Sequence, residues 1–421
     1  MVIILRKNIW ILNHYATNMF QDEGGRHYWF AENLIKLGYN PIIFCASTIH
    51  NSDKSIEIGN KKYCEKSVNG IKFVFIKTPQ YVGNSKKRIF NMISFYRNIV
   101  SVSRSYESEF GNPDIILASS VHPLTLLAGL KISKRFKVPC ICEIRDLWPE
   151  SIVAYGVLKR DNILVKVLYL MEKMIYKKAD AIVMTWEGGK DYIIDRKWEE
   201  SINLDKVTHI SNGILLEQFN ENVKNFILED SDLDNPNFKN IVYAGSIRKV
   251  NNLGVVLDTA KVIQSKRDDI RFLIYGMGDE LELLKKRCKD ENIKNVIFKG
   301  RIKKKYIPSL LTQADINLLH NQSTTLNKYG QSQNKFFEYL AAGKCIIQTY
   351  TTRYSVLEQY NCGLMVERQE PELIAEKIIY ACNNDLEEFG NNSKSIAEKY
   401  DFKKLTEKLV AVIENIEEER L

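Results

Sequence analysis

Lys335 lies in the stretch 330–347, GQSQNKFFEYLAAGKCII, and its position calls for a chemical reason. A polar loop, Gly330 to Gln333, runs into Phe336, Phe337 and Leu340 at helical spacing, and Gly343 ends the run. Ser332 suits the cap of this helix, because its hydroxyl can take an orphan backbone N–H of the first turn. Lys335 then falls in that first turn, where the helix dipole already favours negative charge. A cation there is unfavourable unless an anion sits in front of it, and helix N-termini hold phosphates for the same reason. Glu338 shares a helical face with Asn334 and Lys335 and could accept hydrogen bonds from sugar hydroxyls. On these residues alone, an amphipathic helix with an ordinary lysine is an equally good reading.

Other chemical groups sit where strands are expected to end. Gly24-Gly25 follows the first strand and opens a helix, so backbone there can approach a phosphate. It is not G-x-G-x-x-G and no acidic residue closes the next strand, so a dinucleotide site is poorly supported and a simple turn is the plainer reading. Ser119-Ser120-Val121-His122-Pro123 leaves a strand at its carboxyl end, with Pro123 suited to the first helical position. That placement aims His122 at the ligand end of a sheet, the alternative being a helix-capping histidine. Glu143-Ile144-Arg145-Asp146-Leu147-Trp148-Pro149-Glu150 ends another strand with charge and an aromatic, or simply with an Arg145–Asp146 structural pair. Gly245-Ser246-Ile247-Arg248-Lys249 sets two cations on a strand-to-helix loop, able to neutralise a diphosphate or merely solvated. Gly276-Met277-Gly278 and Gly300-Arg301 read as tight turns. Asp230, Asp232 and Asp234 read as solvated carboxylates, since no strand end aims them at one metal ion.

Alternating elements must position these groups. Apolar strands are expected at 9–12, 41–46, 71–77, 114–118, 138–144, 181–184 and 207–210. Helical patterns lie between them, one ending at Gly38 and others at 86–106, 123–135, 161–178 and 187–196. After a polar, acidic stretch the pattern restarts, with strands at 241–243, 272–275, 296–299, 316–319 and 345–348. Its helices fall at 252–267, 279–291, 305–313, 334–342, 371–383 and 402–418. The fold class is α/β: two tandem Rossmann-like, doubly wound domains with parallel sheets. The domains are 1–216 and 240–400, with a linker at 217–239 and a helix at 401–421 able to cross back to the first domain. Ligands sit at the carboxyl ends of such strands, so an interdomain cleft is the expected site.

The charge is uneven. Residues 1–215 carry 30 Lys and Arg against 21 Asp and Glu, and the remainder carries 30 against 31. A basic first half fits anionic lipid, an anionic acceptor or nucleic acid, or a solvated surface. Apolar stripes with basic flanks at 86–104 and 158–178 fit either helices on a membrane surface or helices packed on a sheet. Eight cysteines in 421 residues do not make a disulfide framework, and Cys140 and Cys142 match no metal or redox spacing. Val2-Ile3-Ile4-Leu5 is broken by Arg6-Lys7, so no signal segment is expected, and no apolar run is long enough to span a bilayer.

Together the glycine loop, His122, Ser211-Asn212-Gly213-Ile214, the basic loop 245–249 and NKFFEYLAAGK follow the order found in one enzyme family. The chain resembles the retaining glycosyltransferases of family 4, which have the GT-B fold. EIRDLWPES and NKFFEYLAAGK are most similar to the subgroup that builds bacterial O-antigens and capsules, often with acetamido sugars. The resemblance implies that Glu338 is the second glutamate of the E-x7-E motif, holding the nucleotide ribose. The first glutamate, which contacts the donor sugar, is replaced here by Gly330. It also implies that His122 lies near the anomeric carbon and that backbone at Arg301-Ile302 reads the base. Ser246 and Asn252 fall near the family's diphosphate-gripping positions, with Arg248, Lys249 and Lys335 as substitutes and Ser332, Asn334, Gly24 and Gly25 also on the donor. Arg145, Asp146 and Trp148 fall to the acceptor side.

The implied reaction is front-face transfer with retention, from a UDP-sugar to a polyprenyl-linked saccharide or polysaccharide. No metal or other cofactor and no nucleic acid is expected. The implied location is cytoplasmic, peripheral at the inner face of the plasma membrane. A nucleotide-sugar epimerase of the same architecture, or a nonenzymatic subunit supporting an active partner, are the rival readings.

Overall fold

A computed structural model of the chain describes residues 7–50, 52, 54–81, 83, 86–120 and 122–420. The segment Val2 to Leu5, and Val121 of the histidine motif, lie outside the described residues. Two compact units form, one from residues 1–211 with 402–421 and one from 212–401.

The first unit has strands β1 Asn8–Leu12, β2 Asn40–Ala46, β3 Tyr63–Val68, β4 Ile71–Ile76, β5 Ile115–Ser119, β6 Cys140–Ile144, β7 Ala181–Met184 and β8 Val207–His209. Their order is β3-β4-β2-β1-β5-β6-β7-β8. All neighbours run parallel except β3, which pairs antiparallel with β4. β5, β6 and β7 are buried at every position, as apolar strands covered on both faces must be. β3 was not expected; its half-exposed YCEKSV lacks the apolar run that marks a central strand. The strand order turns at β1, so the loops after β1 and β5 diverge and open a crevice at their carboxyl ends. The last helix, Phe402–Glu418, packs on the Arg26–Lys36 helix, with Phe402 against Trp29 and Phe30 at ring separations of 4.7 and 5.4 Å.

The second unit has strands β9 Lys239–Ala244, β10 Ile270–Tyr275, β11 Val296–Gly300, β12 Ile316–Leu319, β13 Cys345–Gln348 and β14 Gly363–Met365. The order β11-β10-β9-β12-β13-β14 turns between β9 and β12, and all neighbours are parallel. Alternation along β9 divides the core: Val242 and Ala244 pack on one face, Ile241 and Tyr243 on the other.

The stretch 217–239 is not a linker. Leu216–Asn225 is a helix whose Phe219 enters the second core, and Leu233 follows it there. Asp230 and Asp232 are not solvated either, whereas Asp234 is exposed as expected. Asp230 accepts from Lys299 and Tyr275, both at 2.7 Å, and Asp232 accepts from Lys299 at 2.8 Å and Arg271 at 3.1 Å. Linear spacing hid this, because the cations lie 39 to 69 residues away in the chain. Residues 212–216 belong to the same unit, with the N–H of Asn212 on Ser332 and that of Ile214 on Tyr400. Among the described residues no helix is long and apolar enough to cross a membrane. All eight cysteines are unbridged.

Candidate functional site

In the second unit, the loops after β9 and β10 build a cavity of about 470 Å³ at the carboxyl edge. Gly245, Ser246, Arg248, Tyr275, Gly276, Met277, Gly278, Arg301, Ile302 and Ile307 line it. Gly276 and Gly278 are not mere turns. A Cβ at Gly276 would sit 1.8 Å from the carbonyl oxygen of Gly245, and one at Gly278 1.9 Å from that of Ile247. The two loops therefore meet backbone to backbone, and only glycine permits the approach. Ser246 and Arg248 are exposed on the cavity wall; Lys249, equally exposed, starts a short 3-10 turn and does not line it.

The helix that carries Lys335 runs Asn334–Ala342 and ends at Gly343 in the left-handed region. Ser332 does not cap it. Gln333 occupies the cap, without a side-chain bond, while the Ser332 hydroxyl accepts from the N–H of Asn212 at 3.0 Å. A tertiary donor outcompetes the local one. Lys335 Nζ donates to the His320 carbonyl at 2.7 Å and lies 4.6 Å from the centre of the Tyr243 ring. Burial of the ammonium pushes its pKa down to about 7. His320 is itself fixed, Nε2 donating to the Asn252 carbonyl at 3.0 Å and Nδ1 meeting Thr349 at 2.7 Å. Sequence reasoning missed His320, Tyr243 and Thr349, since nothing in their local spacing marks them. Asn334 is exposed, and Glu338 is half-buried with its carboxyl pushed up by burial against the pull of Lys304.

Gly330 has φ 104°, a conformation that side-chain-bearing residues rarely adopt. The next residue, Gln331, is held by Gln348 at 2.9 Å and by the Tyr350 hydroxyl. Gln333 donates to Asn321 and to Tyr350, both at 2.7 Å. The glutamate expected from the family pattern is thus replaced by a backbone geometry, not merely by a smaller side chain.

In the first unit, Gly25 caps the Arg26–Lys36 helix with φ 112°; Gly24 precedes it, half-buried. The next two residues turn inward. Arg26 Nε donates to Glu143 at 2.8 Å, and His27 Nε2 donates to the other carboxylate oxygen at 2.8 Å. Ser119 donates to Glu143 at 2.6 Å, and Arg26 also reaches the carbonyls of Ile210 and Ser211. Burial alone would raise the Glu143 pKa; Arg26, His27 and Arg145 outweigh it and hold the carboxyl well below the usual range. The glycine loop, β5, β6 and the end of β8 are tied together through this one carboxylate.

A second chain of bonds sets the protonation of His122. Asn91 Nδ2 contacts the Pro79 carbonyl at 2.6 Å and Thr48 at 3.0 Å, and a carbonyl only accepts, so this atom is the amide nitrogen. Asn91 Oδ1 therefore faces His14 Nε2, at 2.6 Å, and His14 carries its proton there. His14 Nδ1 is then an acceptor, and His122 Nε2 donates to it at 2.6 Å. His122 Nδ1 is left as a buried lone pair with no partner among the described residues. Burial, aided by the charge of Arg88, pushes the His122 pKa down to about 3, so the ring stays neutral. His122 stands at the cap of the Pro123–Phe136 helix but makes no capping bond.

Arg145 is half-buried, its carbonyl accepting from Trp186 at 2.9 Å and Thr185 at 3.1 Å. No ion pair joins it to Asp146 among the described residues. Asp146, Trp148, Ser120 and Pro123 line a cleft with room for about one water, beside His122 in the chain.

Residues 238–384 match the family model described as glycosyl transferases group 1. A curated relative, the uncharacterized glycosyltransferase MJ1069 of Methanocaldococcus jannaschii, is 25% identical over 256 residues, covering 58% of this chain and 60% of that protein. Sucrose-phosphate synthase (tll1590) from Thermosynechococcus elongatus superposes with a TM-score of 0.70 at 14% identity, covering 98% of this chain and 99% of that one. Anabaena Alr3699/HepE in complex with UDP gives 0.65 at 11% identity, covering 97% and 100%. The fold is GT-B. Together the matches support glycosyltransferase function, and the cavity of the second unit lies inside the matched segment.

Proposed function

We propose that the chain is a retaining glycosyltransferase of family 4 that builds a bacterial surface glycan of the O-antigen or capsule kind. It moves a sugar, acetamido sugars included, from a UDP-sugar to a polyprenyl-linked saccharide or polysaccharide at the inner face of the plasma membrane. It needs no metal or other cofactor. The glycine-built, cationic cavity of the second unit carries this reading, and a structural neighbour solved with UDP supports the choice of nucleotide. Arg248, Lys335 and Ser246 hold the diphosphate; Ser332 and Asn334 flank the donor. Glu338 takes the ribose hydroxyls, and backbone at Arg301-Ile302 meets the base.

His122 Nδ1, being a bare acceptor, takes a hydrogen bond from a hydroxyl of the transferred sugar. The acceptor hydroxyl attacks the anomeric carbon on the face from which the diphosphate departs. The new C–O bond forms as the anomeric C–O(P) bond breaks, and the hydroxyl proton passes to the departing phosphate oxygen. Fixed cations aimed at that oxygen supply most of the rate. Arg145, Asp146 and Trp148 position the acceptor.

A thermal-shift screen of nucleotide sugars, followed by product analysis with a lipid-linked acceptor in the presence of a chelator, tests the reading. Stabilisation by a UDP-sugar and a product with the donor's anomeric configuration are expected. Inversion, a strict metal requirement, or an isomerised nucleotide sugar formed without acceptor would overturn it.

A further inference from the structure

The first unit carries two apolar surfaces that none of its described residues covers. The Ile163–Lys178 helix buries Val165, Tyr169, Ile175 and Tyr176 against its own unit. Its other side is apolar as well: Ile163 is 80% exposed, Leu164 56%, Val167 53% and Leu170 69%. An apolar stripe left on the outer side of a helix marks a contact surface. Lys166 and Lys173 interleave with the outer residues, while Glu172, the helix's acidic residue, is buried under the hydroxyls of Tyr176 and Tyr192. The Lys86–Phe110 helix repeats the arrangement, with Ile89 58%, Phe90 65% and Ile93 39% exposed behind Lys86 and Lys87. It has no acidic residue before Glu107.

Topology sets both surfaces on one side. The connections β4 to β5, β5 to β6 and β6 to β7 all advance in the same direction across the sheet. Right-handed crossovers therefore place the Lys86–Phe110, Pro123–Phe136 and Ile163–Lys178 helices on the same face. The middle helix packs against both others, which sets the two apolar patches about 20 Å apart. Crossover helices run opposite to their strands, so all three N-terminal halves lie at the carboxyl edge of the sheet. His122 opens the middle one there.

We propose that this face docks on an anionic phospholipid bilayer. Apolar side chains of both N-terminal halves enter the boundary between headgroups and acyl chains, and the lysines around them meet lipid phosphates. Two separated patches with interleaved Lys fit a flat, anionic partner whose apolar layer lies beneath a polar one. Subunit interfaces, by contrast, are depleted in Lys. Docking would hold the His122 edge of the unit at the lipid surface. The surface itself stands without the transferase reading; only its link to a lipid-borne acceptor rests on that reading.

Flotation of the full chain with phosphatidylglycerol–phosphatidylcholine vesicles, against phosphatidylcholine alone, tests the proposal. The chain is expected to float with the anionic vesicles only and to be partly released by high salt. Val167→Asp with Leu170→Asp should lower the bound fraction about tenfold, and Ile89→Asp with Phe90→Asp should act in the same direction. Leu283→Asp, 63% exposed in the second unit, should change nothing. Circular dichroism and nucleotide-sugar thermal shifts on the same samples report that the variants are folded and test donor binding separately. Failure of the wild type to float, undiminished flotation of the apolar variants, or a solution dimer that the same variants split would overturn the docking surface.

Discussion

The ligand edges of the two units follow opposite electrical plans. In the first, the buried charges are paired inside the unit: Glu143 with Arg26 and His27, and the neutral rings of His14 and His122 with each other. Among the described residues, the groups left without a partner there include the bare Nδ1 of His122 and the Nε of Arg145. In the second, Arg248 and Lys249 reach solvent, and Lys335 is buried deeply enough to lose part of its charge near neutral pH. A neutral acceptor held in one tautomer suits a hydroxyl, whereas exposed cations over a glycine-built cavity suit a diphosphate. The contrast separates orientation, which needs a satisfied network, from anion binding, which needs an unsatisfied one.

Substitutions that break this contrast should have graded effects. Lys335→Ala should lower kcat/KM by about a thousandfold or more, because a cation aimed at the leaving group acts mainly in the transition state; steady-state kinetics reads it. Glu143→Gln should cost about 3–5 kcal/mol, since it leaves Arg26 buried without its counter-charge. All five tryptophans lie within residues 10–198, so the denaturant midpoint by tryptophan fluorescence isolates the first unit.

Asn91→Leu removes the group that holds the His14 proton, and with it the defined tautomer of His122. A loss of about tenfold to a hundredfold in kcat/KM is expected, from one misdirected hydrogen bond. Long-range nitrogen–proton spectra should show Nδ1 of His122 unprotonated in the wild type and mixed in the variant. A purely structural role for Asn91 would leave that signature unmoved.

Two smaller effects sharpen the second unit. Lys335 has its pKa lowered to about 7 in the free site; a bound diphosphate favours the charged form and raises it. Protons are therefore taken up on binding, and UDP affinity should fall by up to about tenfold per pH unit above neutrality. Calorimetry across that range should show the slope, and Lys335→Ala should abolish it. Gly330→Glu, which supplies the first glutamate of the E-x7-E pattern, should instead destabilise the unit by about 1–2 kcal/mol, because φ at that position is 104°. A melting temperature equal to wild type would show that the loop relaxes.

Much of the scaffold was legible because buried parallel strands are apolar and short. β7, β12, β13 and the Asn334–Ala342 helix fall where hydrophobic runs and Gly343 put them. β3 escaped because a polar edge strand has no such run, and 217–239 misled because Asp230 and Asp232 looked solvated until Lys299 and Arg271 were brought to them. Among the candidate site residues, Gly24-Gly25, His122 and Arg248 could be singled out from their places at strand ends. The groups that set their chemistry were not: Asn91 and His14 lie 77 residues apart, and Glu143 and Arg26 lie 117 apart.

Sequence alone determined the alternation of strands and helices, and with it the carboxyl edges where reactive groups must lie. Local periodicity encodes both. Tertiary structure decided the state of those groups: which nitrogen of His122 carries the proton, how far the charge of Lys335 is suppressed, and whether Ser332 caps a helix. Each depends on burial and on partners distant in the chain, and no local spacing records them.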